Sequence, residues 1–396
     1  MERKHIDDIA TVIMGQSPKS EHYNSDGVGV PFLQGNRTFG RKYPTFDTFT
    51  TAPTKLAKAN DIIMSVRAPV GDLNITPVDM CLGRGVCALR MNNGNQQYLF
   101  YLLKNNIRQL INKESGTVFG SVNRNDIGGL EVEVHDEKTQ ERIASFLTQI
   151  DDKIENNYAI NNNLQQQAQA LFKAWFVDNC DSPNWGIGCF SDYIEAVRSG
   201  DWGKELPNGS YTEQVFCIRG ADIPDIKNGN KGKMPTRYIQ SKNLSSKKLS
   251  DGDIIVEISG GSPTQSTGRI APIHDALINR YNGDMICTNF CKAITPKLHT
   301  SAFVYYYWQY LYDKGVLFSY ENGTTGIKNL DIMRFIESEQ ILTPPMSLIE
   351  KFDAICRKSF DCIAQNGLES ERLTALRDTL LPKLMSGEID VSDVDI

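Results

Sequence analysis

A chain of 396 residues, 40% hydrophobic and with a net charge of −6, exceeds the size of a single core, so two or more domains are expected. No apolar run approaches the roughly 20 residues needed to span a bilayer, and the start MERKHIDDIATVIMG lacks the apolar core of a signal peptide. A cytoplasmic protein with no membrane partner is expected. The nine cysteines are scattered without a CxxC pair, and no second pair or His cluster joins Cys287 and Cys291 in a zinc site, which suits free thiols in a reducing compartment.

In chain order, residues 1–136 are rich in Gly, Thr, Asn and β-branched residues. Runs such as DIIMSV and GVCALRM read as strands between turns, and QYLFYLLKNNIRQLIN as a helix packed on them. Residues 137–180 then read as one long helix. Residues 181–345 return to the first style, with DIIVEI and FCKAITP as strands and SAFVYYYWQYLYDKGVL as a helix. Residues 346–396 supply a second long helix and a tail. These four segments carry +1, −2, −1 and −4, so the acid is concentrated in the helical parts. Lys227 to Lys248 holds seven cations and no acid, and local charge of this kind sets the field that a phosphate backbone meets.

The first long helix shows a heptad seam. Ile143, Ile150, Asn157, Leu164 and Leu171 fall seven apart, as do Leu147, Ile154, Asn161, Ala168 and Trp175. The second shows it less cleanly, through Phe352, Ser359, Asn366, Leu373 and Leu380 with Ile363 and Leu384 beside them. An intramolecular helix pair is expected, held by Ile150, Ile154, Leu164 and Leu171 against Ile363, Leu373 and Leu380. Asn157 and Asn366 would fix its register, since a buried Asn weakens such a seam but specifies its partner. The Asn- and Gln-rich stretch IENNYAINNNLQQQAQALF lies in this helix, its remaining face solvated or docking a partner.

The chain is also written twice. LAKANDIIMSVRAPVG (56–71) resembles LSDGDIIVEISGGSPT (249–264), with Asp61 matching Asp253. PFLQGNRTFG resembles VFCIRGADIP, with Gly35 matching Gly220. SGTVFGSVNRNDIGGLEV resembles ENGTTGIKNLDIMRFIES, with Asp126-Ile127 set against Asp331-Ile332. QERIASFL matches IEKFDAIC, and LQQQAQALF matches LTALRDTLL. The expected fold is α+β: a small β-rich domain followed by a long helix, duplicated, with the helices pairing as an antiparallel coiled coil in pseudo-two-fold symmetry.

No catalytic constellation stands out. GxxxxGK[ST] and HExxH are absent, and TPPM (343–346) lacks both the amide or acid and the aromatic of an amino-methyltransferase motif. Pro there suits the first turn of a helix. Asp253 and Glu257 share a strand face without the Lys of a metal nuclease. What remains are polar turns suited to DNA: Gln34, Asn36, Arg37, Arg41, Lys42, Arg67, Thr117, Ser121, Asn123 and Arg124 in the first copy, and Arg219, Lys231, Lys233, Arg237, Ser241, Lys242, Thr324, Thr325 and Lys328 in the second. Arg and Lys read guanine or hold phosphates, Asn and Gln read adenine, and Ser and Thr anchor phosphates.

The two-copy layout, SGTVFGSVNRNDIGGLEV followed by EKTQERIASFLTQIDDKIENNYAINNNLQQQAQALFKAWFVD, and the closing LTALRDTLLPKLMSGEIDV together resemble the specificity subunits of type I restriction–modification enzymes. The resemblance covers essentially the whole chain. It implies two target-recognition domains, each reading one half of an interrupted site in double-stranded DNA, with the paired helices setting the gap. It also implies two modification subunits performing adenine N6-methylation with S-adenosylmethionine, and restriction subunits using ATP and Mg. No cofactor and no catalytic site would then reside in this chain. A DNA methyltransferase with its own target domain would need the absent cofactor loop and catalytic motif. A coiled-coil adaptor that does not bind DNA would not need duplicated basic turns.

Overall fold

The computed structural model describes residues 1–112, 120–179, 185–260, 262, 264–323 and 328–391. The chain divides into two compact units: Met1–Asp152 with Leu373–Ile396, and Lys153–Arg372. The chain passes from one unit to the other inside its two long helices, Glu137–Phe172 and Met346–Met385. No helix among the described residues is long and apolar enough to cross a membrane.

In unit 1, a four-stranded antiparallel sheet runs in the order Ala10–Met14, Val86–Met91, Ile62–Ser65, Leu73–Ile75. Its central strands are apolar on both faces because both are covered. Ile62, Met64, Cys87 and Leu89 join one core with helix Gln96–Ile111, while Ile63, Val86 and Ala88 face another with Leu33 and Leu82. This is the period-2 alternation of a strand, filled with hydrophobic side chains on each side. A five-stranded sheet lies on the second face, with Val30–Leu33 parallel to Met80–Leu82.

Unit 2 repeats this plan. Its four-stranded sheet runs Ile194–Ser199, Cys291–Pro296, Ile254–Glu257, Ile270–Pro272. Ile254, Val256 and Ile294 face the aromatic core of helix Ser301–Asp313, and Ile255, Cys291 and Ala293 face the opposite core. Here Tyr211–Ile218 runs parallel to Asp284–Cys287. The turn before the inner strand explains one sequence match. Asp61 is buried, accepts from the Lys58 N–H (2.8 Å) and is gripped by Arg90. Asp253 is buried, accepts from the Ser250 N–H (2.7 Å) and is paired with Arg198. Just before each Asp the backbone is left-handed, at Asn60 (φ 71°) and Gly252 (φ 86°), residue types that tolerate that region. Glu257 is likewise a structural acid, bound through both oxygens by Arg269.

One match shifts. Val122 donates to Val66, and Leu330 donates to Ile258. The next residues, Asn123 and Asp331, both cap short helices, with Asn123 accepting from Asn125 and Asp126 and Asp331 from Arg334. Asn123 is therefore the partner of Asp331, and Asp126 lies one helical turn on.

Within unit 2 the long helices run antiparallel: Asn157 donates to Glu369 (2.8 Å) and Ser370 (3.3 Å), and Asn366 donates to Asn161 (2.8 Å). Ile150, Ile154, Asn157 and Ile363 are buried, but Asn366, Leu164, Leu171, Leu373 and Leu380 are only half-buried. The seam drifts because an α-helix turns every 3.6 residues rather than 3.5. By the end of the first helix the buried positions have moved to Ala168, Phe172 and Phe176. Phe172 then packs against Phe303, Tyr307 and Phe352.

His274 in unit 2 gives a pH prediction. It is buried and stacked on Phe360 (5.8 Å), and its Nδ1 has no hydrogen-bond partner among the described residues. Burial pushes its pKa below the usual 6.5, against the opposing pull of Asp361 and Asp251. The unfolded chain then takes up the proton more readily, so this contribution is whole above pH 6.5 and is lost as pH falls toward the folded pKa, by at most about 1.4 kcal/mol per pH unit. His274→Phe should flatten the fall in melting temperature between about pH 7.5 and 5.5. Thermal scans with identical slopes for the variant and the parent would exclude the assignment.

Candidate nucleic-acid interface

The turns at one end of the unit 1 sheets are bound to one another by backbone hydrogen bonds. Gly15 donates to Val86, Gln16 to Leu82, Gly83 to Leu33, Gly85 to Gln34 and Val66 to Gly85, at 2.8–3.0 Å. Two glycines make the approach possible. A Cβ on Gly15 would lie 2.0 Å from the Gly83 carbonyl, and one on Gly83 would lie 2.6 Å from the Gln34 Cα. The result is a rim presenting exposed Gln16, Gln34, Arg67 and Arg84. Ser17 lies between them, donating to Gln34 (2.8 Å) and accepting from the Arg84 N–H (3.1 Å). Ser121 bridges Arg67 in antiparallel fashion.

Unit 2 builds the same rim with other side chains. Asp201 donates to Cys287, Thr288 to Ile218 and Ile258 to Phe290, each at 2.9 Å. Gly200 takes the place of Gly15, its absent Cβ 2.0 Å from the Thr288 carbonyl. The exposed groups here are Asn289 and Phe290, the latter 57% exposed. Both rims are thus rigid frames whose side chains differ, the arrangement expected of surfaces that recognise different ligand sequences.

The candidates divide by environment. Two are not surface groups. Lys42 is 3% exposed and donates to Asp152 on the first long helix (2.7 Å). Arg237 is 7% exposed, lies 3.8 Å over the Trp202 ring and pairs with Glu205. Several more are engaged within the fold. Arg124 binds both oxygens of Asp7 (2.9 and 3.0 Å), Asn36 donates to Asp72 (2.6 Å), and Arg37 pairs with Asp47. The hydrogen bond from Arg37 holds the Asp47 carboxyl below the usual range. Arg219 chelates Asp222 and reaches the Lys233 carbonyl. Lys231 lies 4.3 Å over the Tyr281 ring, and Lys328 pairs with Glu321 (2.9 Å). Gln34, Arg41, Arg67, Lys233, Ser241 and Lys242 are exposed. Thr117, Thr324 and Thr325 lie outside the described residues. Gln16, Arg84, Asn289 and Phe290 were not singled out from sequence, although Gly83-Arg84-Gly85 carries the glycine signal of a tight turn.

Residues 1–166 match the family model described as type I restriction modification DNA specificity domain. The chain is similar to type I specificity subunits. It is 40% identical over 146 residues to a putative type I restriction enzyme MjaX specificity subunit of Methanocaldococcus jannaschii, a match spanning 36% of this chain and only 34% of that relative. It is 25% identical to the MjaIX specificity subunit of the same organism, over 99% of this chain and 94% of the relative. The S subunit of a type I system from M. genitalium has the same fold: TM-score 0.60 at 17% identity, over 97% of this chain and 95% of that one.

Proposed function

We propose that this chain is the DNA sequence-specificity subunit of a type I restriction–modification complex, each unit reading one half of an interrupted site. The observation that carries this reading is the pair of rims. One hydrogen-bond frame occurs in both units, with Gln16, Gln34, Arg67 and Arg84 on the first and Asn289 and Phe290 on the second. The part shared by the two units is the backbone frame, and the side chains that differ are the ones offered to base edges. The chain itself performs no catalysis; adenine N6-methylation with S-adenosylmethionine belongs to two modification subunits, and ATP- and Mg-dependent work to restriction subunits. Binding by the chain alone should be weak, because its long helical segments are acidic and each reader is near neutral.

The test is exchange of residues 181–345 for the corresponding segment of another specificity subunit, followed by methylome sequencing of cells that also express the modification subunit. One half of the methylated sequence should change and the other persist. Both halves changing together would refute independent reading.

A further inference from the structure

The Asn- and Gln-rich stretch of the first long helix is a clamp within unit 2. Tyr158 donates to Asn230 (2.7 Å), Asn161 to the Asn228 carbonyl (3.1 Å) and Gln165 to the Lys227 carbonyl (2.8 Å). The clamped turn follows helix Ile223–Lys227, close in sequence to Arg219 at the end of strand Tyr211–Ile218. From the other side the turn meets the second long helix, backbone against backbone. A Cβ on Gly367 would lie 1.8 Å from the Gly229 carbonyl, and one on Gly229 would lie 2.1 Å from the Ile363 carbonyl. Gly229 also has φ +80°, a left-handed conformation that glycine adopts without strain. Glu371 closes the seat, accepting from the Lys231 N–H (2.7 Å) and pairing with buried Arg280 (2.6 Å).

Such a seat is far more directional than apolar packing. No side-chain rotation relieves a collision between two backbones, and amide hydrogen bonds to carbonyls fix the turn along the helix axis. In unit 1 the basic turn holding Lys42 reaches the helix through Lys42 to Asp152, on a flexible lysine stem.

We propose that the Gly229–Gly367 crossing and its amide clamp are a positioning device that sets where the second reader stands along the helix pair, and so determines the gap the complex accepts between the two half-sites. This rests on the specificity-subunit reading. Tyr158, Asn161, Gln165, Gly229 and Gly367 are positioning residues and contact no DNA.

The test uses the full chain assembled with its modification subunit. A library of duplexes with randomised half-sites and gaps varied by single base pairs is methylated by the parent, by Gly367→Ala, and by the double variant Asn161→Ala/Gln165→Ala. The double variant introduces no collision, so it tests the seat even where Gly367→Ala fails to fold. The parent should prefer one gap. Both variants should keep the same bases in both half-sites while that preference falls about tenfold, since misplacement by about 1 Å can change a rate by up to about 100-fold. A folded double variant with unchanged bases and an unchanged gap preference overturns the positioning role and leaves the specificity reading intact. A parent that methylates no discrete bipartite sequence overturns both.

Discussion

Arg377→Met should destabilise unit 1 by about 3–5 kcal/mol, the cost of stranding a buried charge. Asp151 is 6% exposed, yet one oxygen accepts from the Tyr101 hydroxyl (2.7 Å) and the other from Arg377 (2.6 Å), and the Arg377 side chain is itself only 14% exposed. Burial and the adjacent Asp151 push the Tyr101 phenol far above its ordinary range, so it remains a neutral donor and cannot replace the lost cation. Lys104 is nearby, but burial, and then the charge of Arg377, hold its ammonium below the usual value. Losing Arg377 relieves only the second of these effects. The double variant Asp151→Leu/Arg377→Met removes both charges, and buried pairs exchanged for apolar residues are often neutral. It should recover most of the loss. Urea unfolding of the four chains of this cycle gives the coupling directly. A loss below about 1 kcal/mol in the single variant would mean that the pair behaves as a solvated surface pair.

This triad also shows where sequence reading succeeds and where it stops. Helix periodicity was legible because it is local, and Ile143, Leu147, Ile150 and Ile154 are buried as a heptad requires. The Asp61 and Asp253 match was legible because each carboxylate closes a turn on an N–H three residues back. The occupation of several cations was not legible, because their partners are far away in the chain. Lys42 meets Asp152, Arg124 meets Asp7 and Arg237 meets Trp202. A basic residue in a turn has the same local signature whether it faces solvent or a distant carboxylate. The amide-rich stretch was opaque for the same reason: Asn161 and Gln165 donate to a turn that lies more than sixty residues on. The rim was legible in part: Gln34 and Arg67 stand in polar turns, whereas Gln16, Arg84, Asn289 and Phe290 are exposed groups beside tightly packed backbone that only the fold brings together.

Matched insertions of four residues, after Asp152 in the first long helix and after Arg372 in the second, should lengthen the gap in the methylated site by one or two base pairs. The placement follows from the fold. The chain passes between its units at these two points, both inside helices. Asp151 to Arg377 lies within unit 1, and Asn157 to Ser370 and Asn161 to Asn366 lie within unit 2, so each unit keeps its own pairing. Inserting in one helix alone would slide one of these sets out of register. Four residues add about 6 Å of helix and rotate it about 40° beyond a full turn, against about 3.4 Å of rise per base pair. The added four also interrupt the heptad, so activity should fall, but the bases of each half-site should not change, because neither rim is touched. Methylome sequencing reads gap and half-sites together. An active variant that keeps the parental gap would show that the long helices hold partners without measuring the DNA.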